Sequence, residues 1–151
     1  MPTFDEALTL EMYVKGTPVS TNHMYGSTRH QARFLTQPAM AWREAVSSET
    51  VSARLDAGES SASVTTKPAP YHLPLKIGCV FYGSRADADN LLKLTIDGLK
   101  EGLGIDDRHF AVVESGKAPT FMRNGRRFRG CWIGVWESVV APASEMSGGA
   151  A

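Results

Sequence analysis

Cysteine is scarce in this chain of 151 residues, which has only Cys79 and Cys131. One pair excludes the multi-bridge framework of small secreted domains and falls short of the ligands of a structural zinc site. Both sit in apolar, strand-like runs, so they are expected as buried free thiols. Long apolar runs are missing too, since no stretch approaches the roughly 18 residues that span a bilayer. The opening Met1-Pro2-Thr3-Phe4-Asp5-Glu6 is acidic and has neither the basic nor the apolar region of a secretory leader. The expectation is therefore a cytoplasmic protein with no membrane partner. Internal repeats and a Gly-rich phosphate-binding loop are also absent.

Net charge is a further lack: 16 basic and 16 acidic side chains cancel. A zero sum argues against indiscriminate polyanion binding, because Lys and Arg contacts to phosphate supply most non-specific affinity. The distribution argues the other way. From Gly16 to Arg43 there are three arginines, two histidines and no acid, and from Ser115 to Trp136 five basic residues and no acid. Arg29, Arg33, Lys117, Arg123, Arg126, Arg127 and Arg129 are thus the candidate contacts to a polyanion. The histidines of the first segment, His23 and His30, read as solvated side chains.

Between these basic segments lies the acidic centre. Residues 85–108 carry Asp87, Asp89, Asp97, Glu101, Asp106 and Asp107. Two stand one residue apart at the expected start of a helix, and two are adjacent beyond its expected end. A chain that turns back after such a helix is expected to bring both ends to one side of a sheet. Carboxylates gathered in that way stay ionised when a cation neutralises their repulsion, which points to Mg²⁺, or Mn²⁺ in its place. Asp89, Lys93 and Asp97 share a helix face at four-residue spacing, and spacing alone is satisfied by ordinary ion pairs worth about 0.2–0.5 kcal/mol.

Periodicity gives the scaffold. Leu8, Leu10, Met12 and Val14 alternate with polar residues, predicting a strand that ends at Gly16-Thr17-Pro18. Residues 19–34 read as a polar, basic loop. Thr36 suits an N-cap with Pro38 in the first turn, and Leu35, Ala39, Trp42 and Val46 are spaced for an amphipathic helix reaching Leu55. Residues 56–72 read as a flexible loop. Leu73, Leu75, Ile77, Cys79 and Phe81 predict a second strand. A second helix is expected from Asp87 or Asp89, with Leu92, Ile96, Leu99 and Leu103 as its core stripe and Gly102 or Gly104 ending it. Residues 110–117 and 127–137 read as the two strands of a hairpin, with Trp132 and Trp136 on one face, expected in core or dimer packing. The order β-α-β-α-β-β predicts an α+β fold: a single domain over residues 1–138 with a mixed β-sheet packed with helices. Residues 139–151 are small and polar and are expected to be a disordered tail.

The run Asp87-x-Asp89-Asn90, Lys93, Asp97-Gly98-Leu99 and Gly104-Ile105-Asp106-Asp107 resembles the RusA-type Holliday junction resolvases. The resemblance is sharp over residues 85–108. Elsewhere it rests on the order of elements and on Gly16-x-Pro18 with Asn22. It implies a RusA-like α+β fold and a Mg²⁺-dependent endodeoxyribonuclease that resolves four-way DNA as a homodimer. It also implies catalytic roles for Asp87, Asp89, Lys93 and Asp107, with the three aspartates as metal ligands, and DNA contacts for the basic segments. For Asp97 and Asn90 it implies an orienting or structural part. Two other readings stand beside it: a non-catalytic junction- or fork-binding module, and a metal-dependent nucleotide phosphohydrolase.

Overall fold

The computed structural model describes residues 2–27 and 33–139. Its main sheet contains β1 (Leu10–Lys15), β4 (Leu75–Tyr82), β5 (Phe110–Ala118) and β8 (Gly130–Trp136). Two small hairpins stand apart, β2 (Tyr25–Ser27) with β3 (Arg33–Leu35), and β6 (Phe121–Arg123) with β7 (Arg126–Phe128). The helices are α1 (Gln37–Asp56), α2 (Ser61–Thr66) and α3 (Ala88–Leu103). The fold is α+β, a mixed sheet packed against helices. Among the described residues no helix is long and apolar enough to cross a membrane.

Local chemistry starts α1 and ends α3. The Thr36 hydroxyl accepts from the Ala39 amide at the start of α1, with Pro38 in the first turn. Gly104 ends α3 in the left-handed conformation, φ 68°, its N–H returning to the Lys100 carbonyl. The two long helices lie close because α3 offers glycines. A Cβ on Gly98 would meet the Arg43 carbonyl at 2.6 Å, and one on Gly102 would meet Thr50 at 2.5 Å. Trp42 Nε1 then donates to Thr95 Oγ1 at 2.9 Å, satisfying two buried polar groups across the helix pair.

The sheet runs β1-β8-β4-β5, antiparallel except for β4 and β5. One face is the core: Leu75, Ile77 and Phe81 are wholly buried, as are Cys131, Ile133 and Val135. Among the described residues the other face is only partly covered, its side chains half-buried or exposed. Trp132 and Trp136 lie there half-buried over Gly134 and Gly78, their rings 6.1 Å apart. Both cysteines are free and buried, and burial together with neighbouring Cys79 pushes the Cys131 thiol pKa up.

Several expectations need correcting. Residues 110–118 and 130–136 are not a hairpin, since β4 lies between them and β5 pairs with β4 in parallel through the α3 crossover. The connecting segment folds on itself instead, turning at Asn124 and Gly125, both with positive φ, as a two-residue hairpin turn requires. The continuously buried run from Ile77 to Cys79 marks a central strand. Residues 56–72 are not a uniform loop: α2 forms within them, its start capped by the Ser60 hydroxyl. The core stripe of α3 is Leu91, Leu94, Leu99 and Leu103, with Leu92 and Ile96 only half-buried. Because α3 is buried against both α1 and the sheet, its covered arc begins one residue earlier. The tail expected at 139–151 lies outside the described residues except for Val139, and Arg29 lies outside them too.

Candidate metal and nucleic-acid site

The β4–α3–β5 crossover places the start of α3 at the C-terminal ends of two parallel strands, the edge where open α/β sheets bind their ligands. Gly83, φ 75°, turns the chain out of β4, and its amide is held by the Ala118 carbonyl at 2.9 Å. Asp87 is the residue before the helix. Its backbone is extended and its side chain makes no capping hydrogen bond, so the carboxylate is not committed to the helix. Asp89 lies in the first turn, exposed, where the helix dipole favours a negative charge by about 0.3–1 kcal/mol. Its Oδ1 stands 3.5 Å from Ser115 Oγ of β5.

Ser115 faces Cys79 in the ladder and Lys117 faces Phe81. Since Cys79 and Phe81 point to the helices, Ser115 and Lys117 lie on the α3 side of the edge strand. Ser115 went unnoticed in the sequence; its alternation with Lys117 was the available signal. Asn90 Oδ1 meets the Thr21 hydroxyl at 3.5 Å, joining the motif to the 3-10 turn Thr21–His23.

Lys93 is engaged one turn further along. Its ammonium donates to Asp97 Oδ1 at 3.0 Å, and that bond is the main reason its pKa lies above the usual value. The lysine side chain is 53% exposed, so the pair is weak and its exchange for another anion inexpensive.

Asp107 does not join the other two. It follows the C-terminal end of α3, a helix of 16 residues and about 24 Å, and its Oδ2 lies 3.9 Å from Lys100 Nζ. Asp106, beside it, accepts from the Arg108 amide, which holds its carboxyl pKa below the usual value. The Asp107 charge also contributes to the raised pKa of Lys93. Among the described residues no three His, Cys, Asp or Glu side chains converge as a metal-binding group.

The basic residues divide into separate places. Arg129 lies against Gly83, beside the segment leading to Asp87. Arg123 stacks on Tyr13, 4.0 Å from guanidinium carbon to ring centre, and Arg127 donates to Thr120 Oγ1 at 2.8 Å. With Arg126 they line a cavity of about 670 Å³ that Glu11, Glu49 and Asp56 also line. None of the motif carboxylates lines it. Arg33 begins β3, but nothing is described of its side chain.

No protein-family model and no curated protein matches the chain.

Proposed function

We propose that this chain is a Mg²⁺-dependent endodeoxyribonuclease that resolves four-way DNA by symmetric phosphodiester cleavage. The observation that carries the reading is the Asp87-x-Asp89-Asn90 turn at the start of α3, at the C-terminal ends of β4 and β5, with both carboxylates exposed and Asp87 uncapped. The similarity of residues 85–108 to the RusA-type resolvases supplies the substrate class.

The donor chemistry suits a hard cation. Two carboxylates and a hydroxyl are oxygen donors, and the two thiols are buried elsewhere. Mg²⁺ takes oxygen ligands at about 2.0–2.1 Å and typically binds through one or two carboxylates, with water and substrate phosphate completing the set. When bound it acts as a Lewis acid on the phosphodiester and lowers the pKa of water. Ser115 holds the Asp89 carboxylate in place. Lys93 leaves Asp97 for the phosphate and offsets the charge that develops on it. Lys117 and Arg129, flanking the motif, neutralise the phosphates on either side.

Asp107 is a ligand by the resemblance, and among the described residues of one protomer it forms no three-carboxylate group with Asp87 and Asp89. A two-fold homodimer reconciles the two: each site takes Asp87 and Asp89 from one protomer and Asp107 from the other. It also provides two sites related as the two cleaved strands are. A second reading, a binding module that cuts nothing, is favoured by the pairing of Lys93 with Asp97 and of Lys100 with Asp107. Incubation with a synthetic four-way junction, a linear duplex and a free nucleotide, each with and without Mg²⁺, separates the readings. Cleavage confined to the junction and to Mg²⁺ supports the first. Binding without cleavage supports the second, and hydrolysis of the nucleotide alone overturns both.

A further inference from the structure

Beside the Asp87–Asn90 turn lies a pocket of about 390 Å³, within the roughly 300–1,000 Å³ of small-ligand sites. Its walls are Pro18, Val19, Pro38, Ala86 and Leu91, with His23 at the 3-10 turn. No carboxylate, lysine or arginine lines it, so it is built for a neutral, largely apolar group rather than for phosphate. Ser20 brings a hydroxyl to this lining. Ser20 is 8% exposed and lines the pocket, yet its side chain makes no capping bond to the turn that follows it. The neighbouring Thr36 hydroxyl, by contrast, is fully used, donating to the His23 carbonyl and accepting from Ala39.

The position of the pocket identifies its occupant. Ala86 immediately precedes Asp87, Leu91 immediately follows Asn90, and Thr21 touches Asn90 at 3.5 Å. A group in the pocket is therefore one residue from the carboxylates that the preceding section assigns to the scissile phosphate. We infer that the pocket receives an unstacked nucleobase of the branched DNA, its faces against proline and aliphatic side chains and its edge hydrogen-bonded to Ser20. A branch point is where extrusion costs least, because bases that have lost a stacking or pairing neighbour leave the helix most readily. The pocket then makes the cleavage position depend on the base that enters it.

This inference rests on the DNA-cleavage reading, and its test keeps the two apart. The full chain is mixed with four-way junctions carrying 2-aminopurine at successive positions near the branch, and binding is followed by mobility shift and by fluorescence. The expected result is a several-fold rise at one position, since the base exchanges a stack for a pocket with no Phe, Tyr or Trp in its walls. Pro38→Leu, at an exposed position on the pocket wall, should abolish the rise while junction binding persists. Ser20→Ala should even out cleavage among junctions that differ in that base. A mobility shift with no rise at any position, or a rise unchanged in Pro38→Leu together with an unchanged preference in Ser20→Ala, overturns the pocket assignment alone. Absence of any mobility shift overturns the DNA reading and this inference with it.

Discussion

Arg54 is the side chain whose removal should cost the fold most. It is 1% exposed at the end of α1 and forms a two-pronged pair with Glu59, Nε to Oε2 and Nη2 to Oε1, both at 2.8 Å. Its remaining donors reach the carbonyls of Gly102 at 2.8 Å and Lys67 at 3.0 Å. One guanidinium thus ties the ends of α1 and α3 to the segment after α2. Arg54→Ala leaves the Glu59 carboxylate, 13% exposed, and two carbonyls without a donor. Breaking a buried pair by removing one partner costs about 3–5 kcal/mol. At about 2–4 °C per kcal/mol for a chain of this size, the melting temperature should fall by roughly 6–20 °C. Arg54→Lys should recover little, because an ammonium cannot reproduce the fork. Adding Glu59→Gln to Arg54→Ala should cost less than the sum of the single changes, since it removes the stranded charge. Urea and thermal unfolding of the wild type, the three single variants and the double variant measure these costs. A loss below about 1 kcal/mol for Arg54→Ala, the size of a surface pair, or strict additivity in the cycle, would refute the reasoning.

Lys93→Ala should slow single-turnover cleavage at saturating Mg²⁺ while changing stability by no more than about 0.5 kcal/mol, the worth of an exposed helical pair; restoration of the rate by added metal would make the lysine only a partner of Asp97. Tyr71 has its pKa raised to about 12, chiefly by burial and then by Glu59. Its folded value exceeds its unfolded one, so its stabilising contribution is complete below about pH 10 and is lost as pH rises toward about 12. Tyr71→Phe should flatten that decline in urea titrations across the alkaline range. Mixing an Asp89→Asn chain with an Asp107→Asn chain should restore nicking, because a heterodimer that shares its sites keeps one site intact. Two inactive homodimers whose mixture stays inactive would show that Asp107 serves within its own protomer or not at all.

Much of the scaffold was legible because its signals are local. Thr36 and Pro38 announced α1, Gly104 ended α3, and alternation marked β1 and β4. The pairing of strands was not, since adjacency in sequence suggested a hairpin while β4, continuously buried from Ile77 to Cys79, took the centre between β5 and β8. The turn that redirects the chain, Asn124-Gly125, was a readable signal left unused. In the site, Asp87 and Asp89 share one turn, and their placement followed from spacing. The place of Asp107 did not follow, because it depends on how the chain runs after Gly104, a tertiary fact. Ser115 and Ser20 were invisible for a related reason: a serine signals nothing until a neighbouring strand gives it a partner or a pocket takes it into its lining.

The central claim is that Asp87 and Asp89 hold the cation for cleavage. Junction cleavage and junction mobility shift, measured on the same samples of wild-type, Asp87→Asn and Asp89→Asn protein over a Mg²⁺ titration, test it most directly. The account predicts Mg²⁺-dependent paired nicks from the wild type, and loss of cleavage from both variants with binding retained or strengthened as negative charge near the DNA is removed. Cleavage by either variant at the wild-type rate and the wild-type Mg²⁺ midpoint would contradict it.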